Sequence, residues 1–531
     1  MDQTLCAAAH LVEGFADYTF RIMNGRPQAG APSLTEDPVA LLRHAGAARR
    51  LRRFRDALCC LIAFSVGGLI LVRLTAELGL LRASLVLALT IAGWAGRRQV
   101  KRALRAWFTW AWRNGRDRHR KGPLRWLAAT ALLAALAAGL VLAQPVLWTC
   151  VAVALTGLAL GWFVVVGESA WAHRRAAAVL AAGAPPARQL AARLNGELER
   201  RVGQLATANV VAYSESRAAA PFVGNGFIVR PWKTDIDVTK RAAGTEDSFE
   251  LFDIVDFHEW LEAQFAIENA VESSAARQLT AGHRLYVDGR KIAWESDLVA
   301  AEQPLPRSRV DWEYLARELR QSDRAEDRRV YFYVQEVCRG GDIAVCILVR
   351  PLLQGGTLSI EFVPLVIPPI QPDVRALIDT VPIRLRDQCG RAIRIWTRHT
   401  PAAVFGSPLR CAASVAEWLH RLTQRSRWRL AARYGWFYDL GAVMSVREGV
   451  CWADPDELDH FVIRDLIRIN DRLRDRLMTS IKAYLREHGI DVEQLATGLA
   501  ITNIQNWNVG NVRADMVGFG NSNTFGDKGQ A

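Results

Sequence analysis

Two carboxylates that alternate along a strand are the first candidates for chemistry. Asp235 and Asp237 flank Ile236 in an alternating run, so both carboxylates face the same side of the predicted strand. Such a pair can hold a divalent cation or serve as a general base. Because no third ligand accompanies the pair, a solvent-facing strand edge is the preferred interpretation.

His258 is the second candidate, because Asp256 and Glu259 accompany it on one predicted helix. The group has the residue types of an acid–base or metal site. No second histidine follows at ligand spacing, so we favour a solvated helix face. Together with Asp235 and Asp237, His258 defines one functional hypothesis, a membrane-tethered hydrolase with an acidic site.

The densest acidic cluster of the chain stands at the start of its longest predicted soluble helix. Its members are Asp454, Asp456, Glu457, Asp459 and His460. Carboxylates at a helix N-terminus accept hydrogen bonds from free backbone amides and interact favourably with the helix dipole. We therefore interpret the cluster as capping groups rather than as a metal site.

The nine cysteines match neither a zinc-site spacing nor a disulfide framework. Cys338 and Cys346 flank a glycine turn and would form a redox pair if they faced each other, but we predict reduced core thiols. Gly224 and Gly226 lack the third glycine of a dinucleotide loop, and no Walker sequence occurs. The sequence predicts no catalytic residue, no metal ligand and no cofactor.

Four apolar segments organise the rest of the chain. They are Ala57 to Val72, Leu80 to Gly96, Trp126 to Ala143 and Pro145 to Val166. A spanning helix needs about 20 apolar residues, with roughly 17 to 25 usual. Short links join the segments in pairs, which predicts a four-helix transmembrane region built from two helical hairpins. A buried hairpin of a large soluble core is the alternative, as is a re-entrant loop for the first pair.

The basic flanks of these segments predict their orientation. Arginines crowd the stretch before the first segment, the stretch between the two hairpins and the stretch after the fourth. By the positive-inside rule, the protein is a multi-pass protein of the cell membrane with both termini in the cytoplasm. The net charge of +13 comes largely from these arginines, so it indicates lipid contact more strongly than nucleic-acid binding.

The loop at residues 97–125 interleaves arginine and tryptophan. Indoles at headgroup level with arginines against anionic lipid are typical of an interfacial helix. Single-stranded nucleic acid fits the same composition, but the position between two spans favours lipid, and we predict no specific nucleic-acid partner. The predicted lipid-contact residues are Arg97, Arg98, Lys101, Arg102, Arg105, Trp107, Trp110 and Trp112.

A cytosolic α+β domain with an antiparallel sheet is predicted for residues 206–490. Three β-rich runs with glycine turns indicate a meander, at Arg329–Val337, Ile343–Val349 and Leu358–Leu365. Other predictions are a hairpin at Arg284–Ala293 and helices at Ile254–Glu268, Val310–Leu319, Leu409–Arg433 and Asp454–His488. The apolar seam of the last helix suits a core or an oligomer contact. The predicted plan is completed by an arm (1–50), the membrane region (51–167), a stalk (168–205) and a tail (491–531).

The tail alternates asparagine, glycine and single apolar residues, a composition that suits stacked strands with asparagine ladders. A disordered polar terminus is the alternative. The spacing between Asn508 and Gly526 resembles the short C-terminal amyloid-type signalling motifs of some bacterial conflict and immunity proteins. Predicted interaction residues are Asn508, Gly510, Gly518, Gly520, Asn521, Asn523 and Phe525.

Four spans followed by the run from Pro221 to Gly226 and by Trp232 resemble uncharacterised multi-pass membrane proteins of actinobacteria. This resemblance implies a domain plan but no activity. The preferred hypothesis is a non-enzymatic membrane protein that anchors a cytosolic sensing or protein-interaction domain in bacterial signalling or defence. Its expected partners are membrane lipids, further copies of the chain and a protein bound through the tail.

Overall fold

The computed structural model describes the chain in segments. These are residues 2–12, 14–24, 29–32, 37–78, 145–181, 196–217, 220–240, 252–272, 277–292, 297–299, 306–321, 328–379, 381, 390, 393–395, 400–434, 439–451 and 458–492. The predicted spans Leu80–Gly96 and Trp126–Ala143, the basic loop and the tail beyond residue 492 lie outside them.

Two long helices contain the first and fourth predicted spans. Helix α3 runs over Pro38–Leu78 and helix α4 over Pro145–Ala181, after the shorter α1 (Asp2–Leu11) and α2 (Phe15–Asn24). At 41 and 37 residues, α3 and α4 are both about twice as long as a bilayer core is thick. Each therefore has room for a span and for an extension outside it. A short helix, α5 (Gly196–Gly203), follows them.

Seven strands form one mixed sheet. They are β1 (Val210–Tyr213), β2 (Phe227–Ile228), β3 (Trp232–Asp237), β4 (Arg277–Asp288), β5 (Arg328–Cys338), β6 (Ile343–Gln354) and β7 (Thr357–Ile367). The order is β1-β4-β5-β6-β7-β2, with β3 also paired to β7. β1 pairs with β4 in parallel and the other pairs are antiparallel, so the prediction of an antiparallel sheet was incomplete. The chain from β1 to β4 is long enough for the crossover that a parallel pair requires.

The predicted meander is confirmed as β5, β6 and β7. Its first turn contains Gly340 and Gly341 and its second contains Gly355 and Gly356, all at positive φ. Arg339 also has a positive φ of 53°, which is uncommon for a residue with a Cβ. The β5–β6 turn is therefore tight, and its first residue, Arg339, carries a charged side chain.

One turn prediction was wrong. The segment Arg284–Ala293 is not a hairpin, because β4 continues through Asp288 and pairs with β5 along its length. Gly289 instead donates from its backbone N–H to the carbonyl of Tyr213. Local turn chemistry does not reveal which distant strand completes a ladder.

Three helices cover one face of the sheet: α6 (Ile254–Glu272), α7 (Trp312–Arg320) and α10 (His460–Glu487). The predicted seam of α10 is confirmed as a core seam of this chain, buried against the strands at Leu466, Ile469, Leu473, Leu477, Ile481 and Leu485. Phe461 was assigned to that seam but is exposed, because it stands in the first turn just after the cap. Asp459 caps the helix by accepting from the N–H of Phe461 at 3.0 Å, whereas residues 452–457 lie outside the described residues.

The opposite face of the sheet is covered by loops. Phe222 and Val223 pack there with Tyr286 and Tyr331, and Ala442 belongs to the same buried cluster. The helices α8 (Pro372–Asp379) and α9 (Thr400–Tyr434) follow the meander.

The chain divides into two units. The sheet unit comprises residues 1–50, 171–383 and 418–531, and the helical unit comprises residues 51–170 and 384–417. The helical unit thus includes the first half of α9, which the sequence prediction had placed in the soluble domain. Both units are built from segments that are distant in the sequence.

Candidate membrane interface

Two helices are long and apolar enough to cross a membrane, over Pro38–Arg73 and Trp148–Ala181. In the most apolar 18-residue stretch of each helix, only 6% is buried in the protein for the first helix and 22% for the second. The exposed apolar side chains include Phe54, Leu61, Phe64, Leu69, Trp148, Leu155, Leu160 and Phe163. The helical unit therefore presents a large apolar surface, of the kind that marks a protein or membrane interaction site.

The same helices are buried at their other ends. In α3, Leu41, Leu42 and Ala45 belong to a core cluster of the sheet unit together with residues of α1 and α2. In α4, Val179 belongs to that cluster too. Most of the exposed large apolar side chains of α3 and α4 thus lie in the halves that belong to the helical unit, and Trp171 of α4 is exposed in the sheet unit.

An ion-pair cluster joins three helices in the helical unit. Asp56 accepts from Arg55 of the same helix at 3.1 Å and from Arg410 of α9 at 3.1 Å. Arg55 also lies 3.4 Å from Glu168 of α4. Two positive and two negative charges offset one another, and three of the four side chains are largely shielded from solvent. The cluster lies at the start of the first predicted span and the end of the fourth.

Small residues bring the helices close together beyond that cluster. A Cβ placed on Gly157 of α4 would overlap Val66 of α3, and one placed on Gly161 would overlap Val404 of α9. Val404 is buried in a cluster with Cys59 and Val165. Close backbone approach at glycine is the usual basis of helix packing in membranes.

The histidine candidate lies in the core rather than on a solvated face, so that interpretation was wrong. His258 is fully buried, and its ring centroid is 5.1 Å from that of His283 on β4. Its neighbours Asp256 and Glu259 are exposed, as expected. The apolar stripe of α6 includes Phe257 and Leu261, and His258 falls within the buried arc beside them.

The electrostatics of His258 follow from this burial. Neither ring nitrogen has a hydrogen-bond partner among the described residues. Burial, and secondarily the nearby His283, hold the pKa of His258 well below its usual value. His283 Nδ1 lies 3.4 Å from Glu262, and this hydrogen bond lowers the pKa of the Glu262 carboxyl. His258 is thus a neutral ring in a desolvated site.

Asp235 and Asp237 lie on β3, with side chains that are substantially exposed. Asp235 pairs with Lys233 at 3.0 Å, and Asp237 accepts from the N–H of Thr239 at 3.0 Å. Hydrogen bonds, first with Ser359 and with Thr239 respectively, lower the pKa of each carboxyl. Over the part of the chain that the structure describes, no group of three or more His, Cys, Asp or Glu residues is placed to hold a metal.

A buried carboxylate organises the glycine loop. Glu448 Oε1 accepts from the N–H groups of Gly224 and Gly226 at 2.8 and 3.0 Å, and its Oε2 accepts from the N–H of Ser445 at 2.8 Å. Both glycines have positive φ, and a Cβ at Gly226 would overlap the carbonyl of Val366. The conformation of this loop therefore requires both glycines and the acid.

A buried guanidinium lies beneath the same loop. Arg284 donates to the side-chain amide oxygen Oδ1 of Asn225, and its Cζ lies 4.1 Å from the ring centroid of Tyr333. Asn225 in turn donates to the Tyr286 hydroxyl. Burial raises the pKa of Tyr286 and raises that of the neighbouring Cys346 thiol to about 12. These groups fix the loop on the sheet, and the resulting pKa values do not suit acid–base chemistry near neutral pH.

An open cleft of about 410 Å³ borders the β5–β6 turn of the sheet unit. It is lined by Thr4, Leu180, Arg339, Gly340, Asp342, Ile370, Arg375, Ile378 and Asp379. Arg375 pairs with Asp342 at 2.7 Å, and this hydrogen bond raises the pKa of Arg375. The cleft has mixed charge, which suits a polar peptide segment better than an isolated anion.

Among the described residues, no two cysteines are joined by a disulfide bond. Cys338 and Cys346 do not face each other, because Cys338 is opposite Ile343 and Cys346 is opposite Gln335 in the ladder. In the helical unit, the Cys411 thiol of α9 lies close to the Cys60 thiol of α3. That contact was not anticipated.

Residues 231–521, more than half of the chain, match the family model described as an AbeC-like domain. The chain belongs to the AbeC-like domain family. No curated protein and no solved structure matched the chain. The matched range begins just before β3, so β1 and β2 of the sheet precede it. It includes the first half of α9 and most of the predicted tail, although Asn523 and Phe525 lie beyond it.

The predicted lipid-contact residues of the basic loop, from Arg97 to Trp112, and the predicted tail residues, from Asn508 to Phe525, lie outside the described residues. The sequence reasoning missed the contribution of α9 to the helical unit. The signal was present in the spacing of Phe405, Leu409 and Val415, but the charged residues around them suggested a soluble helix.

Proposed function

We propose that this protein is an integral membrane protein whose AbeC-like domain senses a signal or binds a partner protein at the cytosolic membrane surface. The observation that carries the proposal is the change of exposure along α3. Its first three turns are buried in the sheet unit, whereas Phe54, Leu61 and Phe64 farther along are exposed. A core helix of a soluble protein would bury those side chains.

The free energy of burying apolar side chains supports the proposed membrane anchoring. Burying one large apolar side chain is worth about 1.5–3 kcal/mol. The exposed halves of α3 and α4 carry eight or more such side chains, including Leu69, Leu155 and Phe163. Their exposure to water would be strongly unfavourable, and a bilayer removes that cost.

The more detailed proposal is a four-span region of two hairpins with both termini in the cytoplasm. Arginine-rich flanks support this orientation under the positive-inside rule. The basic loop at 97–125 would then lie against anionic headgroups on the cytosolic side. Self-association of the membrane region would bring several AbeC-like domains together.

A topology experiment tests the anchoring. Reporters that distinguish cytoplasm from periplasm are fused after Leu78, after Arg125 and after Ala531 of the full-length chain. The first fusion should report the periplasm and the other two the cytoplasm. Recovery of the untagged chain in the soluble fraction, without detergent, would refute membrane anchoring altogether. A periplasmic signal from the fusion after Ala531 would refute only the orientation.

We further propose that the tail assembles with itself or binds a partner carrying a similar repeat. Its alternation of Asn, Gly and single apolar residues supports this role. A peptide of residues 500–531 should form thioflavin-positive fibres or bind such a partner. A matched peptide with Asn508, Asn521 and Asn523 changed to Asp should do neither, because charge repulsion prevents stacking. A wild-type peptide that stays monomeric and unbound would remove the tail proposal.

The alternative hypothesis, a membrane-tethered hydrolase, gains no geometric support among the described residues. His258 is buried in the helix-covered core, whereas Asp235 and Asp237 are on an exposed strand. The mixed-charge cleft at the β5–β6 turn supports binding instead, since it is open and lined by Arg339, Arg375 and acidic groups.

A further inference from the structure

We infer that the first half of α9, residues 400–417, is a membrane-embedded helix that lies along the cytosolic end of the first span and contacts lipid with its outer face. The inference rests on the proposed membrane anchoring and extends it to a segment that does not cross the bilayer. The outer face of residues 400–417 contacts the acyl and glycerol region of the lipid.

The amphipathicity of this half-helix is opposite to that of a helix in a water-soluble protein. Phe405, Leu409 and Val415 are 49%, 64% and 56% exposed, whereas Ser407 is fully buried. A helix on the surface of a soluble protein turns its apolar stripe to the core and its polar residues to water. Here the polar residues face the packed side, so the exposed side requires an apolar surrounding.

Ion pairs fix the packed side of the half-helix to α3. Arg410 pairs with Asp56 at 3.1 Å, and Glu417 pairs with Arg53 at 3.3 Å. The residue numbers run in opposite directions in these two pairs, so α9 lies antiparallel to α3. Its N-terminal end therefore points towards the apolar part of α3, where Val404 packs with Cys59 and Ala63.

The depth of the half-helix follows from these partners. Asp56 directly precedes the predicted span that starts at Ala57, so Arg410 and Glu417 lie at headgroup level. Val404 precedes Arg410 by six residues and contacts residues inside the spans, so it lies about 9 Å, nearly two turns, deeper. The segment cannot continue across the bilayer, because residues 384–399 contain arginines and an aspartate that would be costly in its core. Residues 400–417 thus enter the bilayer from the cytosolic side and do not cross it.

Fluorescence quenching in proteoliposomes tests the inference with the full-length chain. A small environment-sensitive amino acid is incorporated at one position at a time: Phe405 or Leu409 on α9, Phe64 on α3, and Phe461 on α10. Phe461 is a matched control, since it is an exposed phenylalanine (71%) in the sheet unit. Quenching is compared between doxyl-labelled lipid and aqueous iodide.

We expect the probes at Phe405 and Leu409 to be blue-shifted and quenched several-fold more by doxyl lipid than by iodide. The probe at Phe461 should show the reverse preference. If iodide quenches the probes at 405 and 409 as it does the probe at 461, while the probe at Phe64 is still quenched by lipid, the inference about α9 is wrong and the anchoring stands. If iodide also quenches the probe at Phe64, the proposed anchoring itself fails.

Discussion

Arg410 Nε lies 3.1 Å from Asp56 Oδ1, so a charge on α9 is paired with a charge at the start of the first predicted span. Asp56 also accepts from Arg55, and its side chain is mostly shielded from solvent. A carboxylate in this position needs both guanidinium groups, because an unpaired buried charge is costly. The pair therefore connects α3 to a segment of the family-matched region that lies far away in the sequence.

Loss of the Asp56 carboxylate should destabilise the helical unit. Asp56→Asn leaves Arg55 with Glu168 and removes the carboxylate partner of Arg410, so we expect a loss of about 2–4 kcal/mol. Arg410→Gln should cost less, because its side chain is partly exposed. The measurement is thermal unfolding in detergent, with both single variants and the double variant. A double variant whose loss equals the sum of the two single losses would contradict the pairing.

Mild oxidation should link α3 to α9. The Cys60 and Cys411 thiols lie close together, so copper-catalysed oxidation of membranes should join them. To detect the disulfide, a protease site is inserted at residues 322–327, between Cys60 and Cys411 in the sequence. After cleavage, the disulfide keeps the two fragments together on a non-reducing gel. Cys411→Ser is the matched control and should abolish the joined band. Separate fragments from the oxidised parent would contradict the packing of α9 on α3.

The sequence predicted much of this fold where local patterns suffice. The meander, the seam of α10 and the two long apolar helices follow from period-2 alternation, heptad-like spacing and length. The parallel pairing of β1 with β4 did not follow, because partner choice depends on contacts between distant segments. The burial of His258 was missed for a similar reason, since it depends on His283, which belongs to another element.

The membrane interface was only half predictable. The apolar runs around Phe64 and Phe163 identify α3 and α4 as candidate spans without any structure. Residues 400–417 carry too few apolar residues for a hydropathy search, and their meaning depends on which side packs. The burial of Ser407 and the pairing of Arg410 with Asp56 show that the polar side is the inner one.

Neutralising Glu448 should loosen the glycine loop. Its two oxygens accept three backbone N–H groups, and a glutamine would place an NH₂ group against at least one of these donors. We expect Glu448→Gln to lower the free energy of unfolding by about 2–3 kcal/mol. Hydrogen exchange at Gly224 and Gly226 should accelerate as well.

Glu487→Gln is a matched control for that change, because Glu487 is exposed at the end of α10. It should alter stability by less than about 0.5 kcal/mol. If the two variants unfold alike and the loop amides stay equally protected, Glu448 does not hold the loop.

Acidification should destabilise the sheet unit through His258. In the unfolded chain this side chain titrates near its ordinary pKa of about 6.5. Burial lowers the pKa in the folded state, so below that pH the unfolded chain binds more protons. The free energy of unfolding should therefore fall by about 1.4 kcal/mol for each pH unit below about 6.5, and this histidine should contribute no pH dependence above it.

His258→Phe removes the titrating group and keeps a ring beside His283. Unfolding of parent and variant is followed from about pH 7.5 to about pH 5.5, where Glu262 stays ionised in both states. The variant should lose most of the acid slope and gain stability at the acidic end, because its ring has no buried nitrogen without a partner. His460→Gln, at an exposed histidine, should keep the slope of the parent. Equal slopes in the parent and in His258→Phe would show that His258 is not the group whose burial makes the sheet unit acid-sensitive.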